Sequence, residues 1–291
     1  MSTIVALPVP VEPRRSVSLF RRALRLWRTR IGLLIAGALV LVAILGPYVA
    51  PYGAQDFAGS PYQAAGGKLR FGADSLGQDV WSRFLDGGRS ILLVSVLSTI
   101  IGVGVGVLVG LSAALARRAV DDLLMRAVDL LLAFPSILLA LVAVATVGPK
   151  PWLIVATVAA TTMPRTARVI RGAGVSVVER DFVTAARAIG DGHFRVLFFE
   201  VLPNVTGTLV VEVTLRLTYA IGLIAALAFL GVTTNPNGAD WGTMVQENAG
   251  ALILQPWGCL LPAIAIGLLT VGTGLVGDGL ARASSGIDRG V

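Results

Sequence analysis

RGAGVSVVERDFVTAARAIGDGHFRVLFFEVLPN, residues 171–204, is the longest polar interruption in the apolar second half of this chain. It carries Arg171, Arg180, Arg187 and Arg195 and separates two long hydrophobic runs. A membrane protein rarely keeps such a segment between spans without a partner for it. We therefore interpret residues 171–204 as a cytoplasmic docking element that is carried by a bundle of membrane helices.

The overall composition places the chain in a membrane. Of its 291 residues, 55% are hydrophobic and 14% are charged, whereas about 25% are charged in a typical soluble domain. Several apolar runs approach the 20 or so residues that a helix needs to cross a bilayer. This composition argues against the alternative of a soluble all-helical globule. The single cysteine and single histidine argue against an internal disulfide and a multi-ligand zinc site.

The apolar runs predict an all-α polytopic membrane protein with six transmembrane helices. The expected spans are 31–49, 91–116, 123–147, 152–167, 205–232 and 257–280. The corresponding division is a basic N-terminal segment 1–30, a first transmembrane helix 31–52, an extracytoplasmic segment 53–88, a five-helix core 89–282 and a tail 283–291. Segment 1–30 either lies along the lipid headgroups or simply anchors the topology.

The positive charges predict which side each segment faces. The net charge of +7 would suit nucleic acid binding, but most of the 24 Lys and Arg residues fall in segments on one side of the predicted spans. Cytoplasmic segments carry such an excess, so both termini are expected in the cytoplasm and the chain in the cell membrane, with lipid and not nucleic acid around it. The basic residues on the other side are Lys68, Arg70, Arg83, Arg89 and Lys150.

Several local patterns predict how the spans are shaped. Gly106 and Gly110 form a GxxxG step that allows another helix to approach closely. Pro135 predicts a kink in the third span, and Pro164 an irregular end of the fourth. Residues 71–91 have turn glycines followed by an amphipathic piece, which predicts an interfacial helix. In it, the lipid boundary is expected to hold Trp81 and Phe84, and Asp79 is expected to pair with Arg83.

Charged residues at membrane depth are the next candidates for function. Asp129, Glu212, Arg216 and Asp278 fall in or near predicted spans, where charge is costly unless it is paired or faces a wet cavity. Glu212 and Arg216 are four apart on one helix face, which predicts either a structural ion pair or a role in the translocation path or its gate.

The docking element predicts two short helices around a turn. Asp181 is expected to cap a helix that runs to about residue 189, and Gly190 to end it in a left-handed conformation. A second helix is expected over 194–201, stopping before Pro203.

The absence of a nucleotide site gives this element a purpose. The sequence has no GxxxxGK[ST] loop, so transport driven by ATP would need a nucleotide-binding partner on another chain. Ala185 and Ala186 are expected on one side of the first short helix, where their small size allows close entry into a groove on another protein. We also expect no cofactor and no catalytic set on this chain.

The spacing in this element resembles the EAA loop of bacterial ABC importer permeases. That pattern is EAA, three residues, Gly, nine residues, Ile, one residue, Leu-Pro. The matching residues are Ala185, Ala186, Gly190, Leu202 and Pro203. Thr184 stands where Glu is usual, and Glu200 stands where Ile is usual. The segments LGQDVWSRFLDGGRSILL (76–93) and ADWGTMVQE (239–247) resemble the C-type permeases of the dipeptide/oligopeptide/nickel family.

The resemblance implies a type I importer permease fold and a set of partners. A second, homologous permease would complete the pore, two cytoplasmic ATPase subunits would hold ATP and Mg²⁺, and an extracytoplasmic solute-binding protein would deliver di- or oligopeptides. The alternatives are nickel or another small solute, a stand-alone secondary transporter and a membrane-embedded enzyme. The expected coupling interface is Asp181, Thr184, Ala185, Ala186, Arg187, Gly190, Asp191, Leu202 and Pro203. The expected contacts for the binding protein are Trp81, Asp240 and Trp241.

Overall fold

A computed structural model describes residues 19–233, 235 and 238–285 of the chain. The described ranges contain no β-strand. The α-helices are α1 Leu19–Ala23, α2 Trp27–Val49, α3 Val80–Leu115, α4 Arg118–Ala133, α5 Ser136–Val147, α6 Pro151–Val178, α7 Asp181–Ala188, α8 His193–Arg195, α9 Leu202–Asn204, α10 Thr206–Phe229, α11 Trp241–Asn248 and α12 Trp257–Ser285. A π-helix spans Val196–Val201 and a 3₁₀ turn spans Ala249–Ala251. Parts of the predicted segments 1–30 and 283–291 lie outside the described residues.

Four of these helices are long and apolar enough to cross a membrane. They are α2, α3, α10 and α12, and the pair α4–α5 adds a fifth if its two bent halves form one span. Helix α6, which carries three arginines in its second half, is not among them. The prediction of an all-helical protein with several membrane helices is therefore confirmed, and the number six stays a prediction.

Helix α3 is longer than the sequence pattern indicated. A single helix replaces the predicted interfacial helix and second span, and the Asp79 side chain caps it by accepting a hydrogen bond from the Ser82 backbone N–H at 2.9 Å. Phe84 is buried and stacks on Trp241 instead of facing lipid. Arg83 bonds to other carboxylates and not to Asp79. These predictions were wrong because distant residues supply the partners.

The two prolines have opposite outcomes. The chain bends by 80° between α4 and α5, around Pro135, which confirms the predicted kink. By contrast, α6 continues through Pro164, so the predicted irregular end of the fourth span was wrong. Proline removes one backbone hydrogen bond, and a helix packed against neighbours tolerates that loss. Pro164 is buried against such neighbours.

Close packing of α3 on α6 depends on glycine. An added Cβ at Gly102 would lie 2.8 Å from the Ala159 carbonyl oxygen, and one at Gly106 would lie 2.7 Å from the Cβ of Thr166. Gly110 is equally confined by α6, whereas Gly104 faces open space. The predicted GxxxG contact is therefore confirmed, and Gly102 extends it by one step.

Two apolar cores form at opposite ends of the bundle. One lies beside α11, where Trp241 is fully buried among residues of α3, α10 and α12. The other lies beside α7, where Val183 and Ala186 pack with Leu111 and Ile170 of the long helices α3 and α6. We call these the α11 end and the α7 end. Helix α7 is thus packed into the core of the α7 end together with α3 and α6.

Candidate functional site

The first candidate site is the turn after α7. Asp181 is the first residue of the helix and not its cap, because Arg180 occupies the capping position without a side-chain hydrogen bond. The predicted Asp181 cap was therefore wrong. Its carboxylate still lies in the first turn, where its negative charge interacts favourably with the positive end of the helix dipole. Gly190 adopts φ +92°, the left-handed conformation that the sequence predicted.

Helix α7 has one buried face and one exposed face. Val183 and Ala186 are buried in the core of the α7 end, while Thr184, Ala185 and Arg187 are exposed. Adjacent residues on a helix point about 100° apart, so the prediction that Ala185 and Ala186 share one side was wrong. Ala186 anchors α7, and Ala185 is the small residue available to a partner.

The second half of the element is wound differently from the prediction. A π-helix occupies most of the predicted 194–201 helix and leads directly into α9, which contains Pro203. The predicted stop before Pro203 was wrong because proline fits the first turn of a helix, where its missing N–H has no partner to lose. Leu202 is half-buried and Pro203 is exposed.

Large apolar side chains are exposed beside α7. Ile189 is 81% exposed, Phe194 76% and Phe199 74%. The rings of Phe194 and Phe198 stack with centroids 6.2 Å apart. Exposed apolar surface of this kind marks a contact with another protein or with the membrane. These residues were missed in the sequence, although three phenylalanines within 194–199 are a visible signal.

We call nine exposed residues of this region the coupling surface, after the role that the sequence predicts for this element. Asp191 is half-buried at its edge and forms an i,i+4 ion pair with Arg195 at 3.3 Å. The surface comprises Asp181, Thr184, Ala185, Arg187, Ile189, Gly190, Phe194, Phe199 and Pro203.

Two ion pairs join α6 to α4. Arg171 donates to Asp121 through Nε at 2.5 Å and also through Nη2. Arg168 donates to Asp129. Asp129 is therefore paired, as the sequence predicted for a carboxylate at membrane depth. Helix α6 leads into α7 through Glu179 and Arg180. The pairs therefore connect the segment behind the coupling surface with the bent α4–α5 unit.

The Glu212–Arg216 pair is present within α10. Arg216 Nε donates to Glu212 Oε2 at 3.0 Å, and Thr166 Oγ of α6 donates to the same oxygen at 3.2 Å. Glu212 is buried. The pair thus neutralises itself and links α10 to α6, and its role as a gate stays a prediction.

Comparison with known proteins agrees with these features. The family described as "Binding-protein-dependent transport system inner membrane component" matches residues 102–285, which include the coupling surface and the pair in α10.

The chain belongs to this family.

Curated relatives resemble this inner membrane component over most of their length. The Di/tripeptide transport system permease protein DppC of Pseudomonas aeruginosa (strain UCBPP-PA14) is 38% identical over 259 residues, covering 87% of this chain and 86% of the relative. A putative peptide transport system permease protein of Brucella suis biovar 1 (strain 1330) is 35% identical over 268 residues, covering 89% and 88%. A putative peptide permease protein of Brucella ovis (strain ATCC 25840 / 63/290 / NCTC 10512) is 36% identical over 255 residues, covering 87% and 84%.

At the α11 end of this inner membrane component, two of the three predicted binding-protein contacts are buried. Asp240 accepts hydrogen bonds from the Gly242 backbone N–H at 2.9 Å and from Ser90 Oγ at 2.7 Å. Trp241 donates from its indole N–H to the Phe84 carbonyl at 2.8 Å. Both are fully buried, which argues against direct contact with another protein. Trp81 is half-buried and stacked between aromatic rings.

A buried charge network at this end was invisible in the sequence. Arg83 donates to Asp74 and to Glu247, the latter at 2.9 Å. Asn248 accepts from the Ser75 backbone N–H at 3.2 Å. These bonds tie segment 53–79 to α11, which lies more than 160 residues further along the chain. Only the fold brings such distant residues together.

Proposed function

We propose that this chain is one of two pore-forming permease subunits of an ATP-driven importer that takes up di- and oligopeptides. Its family is defined by dependence on a binding protein, and the relatives above are named as peptide permeases. The observation that carries the coupling role is the coupling surface, because exposed Ile189, Phe194 and Phe199 need a partner. Relatives named for peptide transport support peptides over nickel.

The proposed topology has six spans with both termini in the cytoplasm. In it, α6 is the remaining span, and its arginines at 165, 168 and 171 lie toward the cytoplasm. The α7 end then faces the cytoplasm and the α11 end faces outward. The arginine distribution and the polar character of segment 53–79 support this arrangement.

The proposed partners follow from that orientation. Two cytoplasmic ATPase subunits, which hold ATP and Mg²⁺, bind the coupling surfaces of this chain and of a second, homologous permease. An extracytoplasmic solute-binding protein delivers peptide at the α11 end. This chain performs no catalysis and binds no cofactor in the proposal. Closure of the ATPases moves α7, and the buried Val183 and Ala186 transmit that movement to α3 and α6.

The α4–α6 ion pairs extend this transmission. Because Arg171 and Asp121 form two hydrogen bonds, α4 follows α6 when α7 is pushed. The 80° bend between α4 and α5 then lies where a moving helix can open or close the path.

The proposal is tested by changing the coupling surface alone. Ile189→Asp and Phe199→Asp each place a charge where an apolar contact is expected. Burying one such side chain is worth about 1.5–3 kcal/mol, so each change is expected to weaken ATPase binding by about tenfold or more. Co-purification of the ATPases and peptide uptake by the reconstituted importer measure the loss. Phe57→Asp, at an 84% exposed position in segment 53–79 at the α11 end, is the matched control for co-purification of the ATPases.

Normal ATPase binding and normal uptake in both coupling variants would contradict the proposal. A loss of ATPase binding in the Phe57→Asp control equal to that in the coupling variants would also contradict it, because the effect would then be unrelated to the coupling surface.

A further inference from the structure

A positive charge at the contact between α6 and α10 has no ionic partner among the described residues. Arg165 of α6 places its guanidinium carbon 4.5 Å from the centroid of the Tyr219 ring of α10. Arg165 is half-buried: its Nη1 atom is enclosed and has no hydrogen-bond partner in the part of the chain that the structure describes, while the residue keeps some exposed surface. The face of the Tyr219 ring attracts the cation, but it provides no hydrogen-bond acceptor for the N–H groups at the edge of the guanidinium.

The neighbouring charges are already committed. Glu212 accepts hydrogen bonds from Arg216 and from Thr166, which directly follows Arg165 in α6. Asp129 of α4 pairs with Arg168. We call Arg165, Tyr219, Glu212 and Arg216 the Tyr219 cluster, because Arg165 lies over Tyr219 and the adjacent Thr166 bonds to Glu212. The cluster holds two guanidinium groups and one carboxylate, so one positive charge has no ionic partner among the described residues.

The depth of this charge makes it costly. Arg165 lies fourteen residues after the start of α6 at Pro151, which is roughly 21 Å at 1.5 Å per residue. This position falls within a hydrocarbon layer about 30 Å thick in the proposed topology. A charged side chain at such depth is retained where it faces a wet cavity or a ligand.

The site also adjoins the break between α4 and α5. The Tyr219 hydroxyl is 2.8 Å from the hydroxyl of Ser136, the first residue of α5. Tyr219 thus holds Arg165 on one side and the bend on the other. A guanidinium fixed at the hinge of a broken span is well placed to meet a passing solute.

We propose that Arg165, held by Tyr219, binds the carboxylate of the transported peptide during passage. This inference rests on the proposed peptide importer and names the residue that senses the anionic end of its substrate. Every peptide with a free C-terminus carries a carboxylate, and the planar guanidinium matches that group with two parallel hydrogen bonds. The Glu212–Arg216 pair beside it keeps the second arginine neutralised, so one guanidinium is available for one carboxylate.

The test compares a peptide with its C-terminal amide, which lacks the negative charge. Uptake of each is measured in the complete reconstituted importer, at concentrations that saturate the solute-binding protein. The wild-type importer is expected to prefer the free acid. Arg165→Gln is expected to reduce the acid-to-amide ratio by at least about tenfold, because charge-assisted hydrogen bonds to the carboxylate are lost. A merely structural role would lower uptake of both peptides equally.

Two further variants keep the test decisive. Arg165→Lys retains the charge but loses the planar fork of the guanidinium. Its acid-to-amide uptake ratio is therefore expected to fall by about threefold, between the ratios of the wild type and of Arg165→Gln. It decides the outcome if the glutamine variant does not assemble. Arg89→Gln is the matched control, because Arg89 also lies over a tyrosine ring, that of Tyr48, at 5.4 Å, but outside this cluster. Its ratio is expected to equal that of the wild type.

Different results would contradict the proposed importer and the proposed role of Arg165. A wild-type importer that takes up neither peptide contradicts the proposed function. A wild-type importer that takes up both equally, or whose preference is unchanged by Arg165→Gln or Arg165→Lys, overturns only the role of Arg165. In that case its guanidinium serves packing or pairs with an acidic group of the second permease.

Discussion

Removing Arg83 is expected to destabilise the α11 end strongly. Its side chain is 6% exposed, and it is the ionic partner of Asp74, whose side chain has no exposed surface. Breaking a buried ion pair by deleting one member costs about 3–5 kcal/mol, because the other charge stays buried without compensation. In Arg83→Met the Asp74 carboxylate keeps two bonds to its Oδ1, from the backbone N–H groups of Leu76 and Gln78, both at 2.9 Å. Glu247 is one-third exposed and can be solvated instead.

These retained bonds place the expected loss near the lower limit, at about 3 kcal/mol. For a chain of this size that corresponds to a fall in Tm of about 6 °C. The assay heats detergent-solubilised protein in steps and measures the folded fraction by size-exclusion chromatography. The double variant Asp74→Asn with Arg83→Met removes both charges and is expected to recover about 2 kcal/mol of this loss. Arg70→Gln, at an exposed position of segment 53–79, which also contains Asp74, is the control.

Two results would refute this reasoning. One is an Arg83→Met protein with the same midpoint as the wild type. The other is a double variant that is no more stable than the single variant, since the unpaired charge of Asp74 would then not be the cause of the loss.

Three other tests address different parts of the structure. Gly106→Val is expected to force α3 away from α6 and to lower the stability by about 1–3 kcal/mol. Gly104→Val, at a position that faces open space, should melt near the wild-type temperature. Equal melting midpoints for the two variants would contradict the close packing of α3 on α6. Gly190→Val is expected to disturb the turn after α7 at a cost of about 1–2 kcal/mol, because its φ of +92° is strained for a side chain with a Cβ, and unchanged ATPase binding would argue against that turn being needed. In a chain whose native Cys259 is replaced by Ala, a cysteine at residue 190 is expected to react with impermeant reagent only from the cytoplasm, and Ile253→Cys, at a 99% exposed position, only from outside; the reverse pattern would overturn the proposed topology.

The sequence by itself was sufficient for the membrane class, the family resemblance and the position of the docking element. Hydrophobic length, arginine distribution and the spacing from Ala185 to Pro203 are properties of the chain that do not depend on how helices meet. The turn at Gly190 was also predictable, because only glycine adopts a positive φ without steric cost. The Gly106–Gly110 step predicted a close approach, and the structure decided that it meets α6 while Gly104 faces open space.

The tertiary structure alone decided which faces are buried and which charges are paired. Ala186 points inward and Asp240 and Trp241 are buried, because α7 and α11 pack on helices that are distant in sequence. The bonds of Arg83 and the unpartnered edge of Arg165 depend on groups dozens to more than a hundred residues away. Hydropathy and spacing report local preference, whereas the pairing of a buried charge depends on three-dimensional neighbours that no local pattern contains.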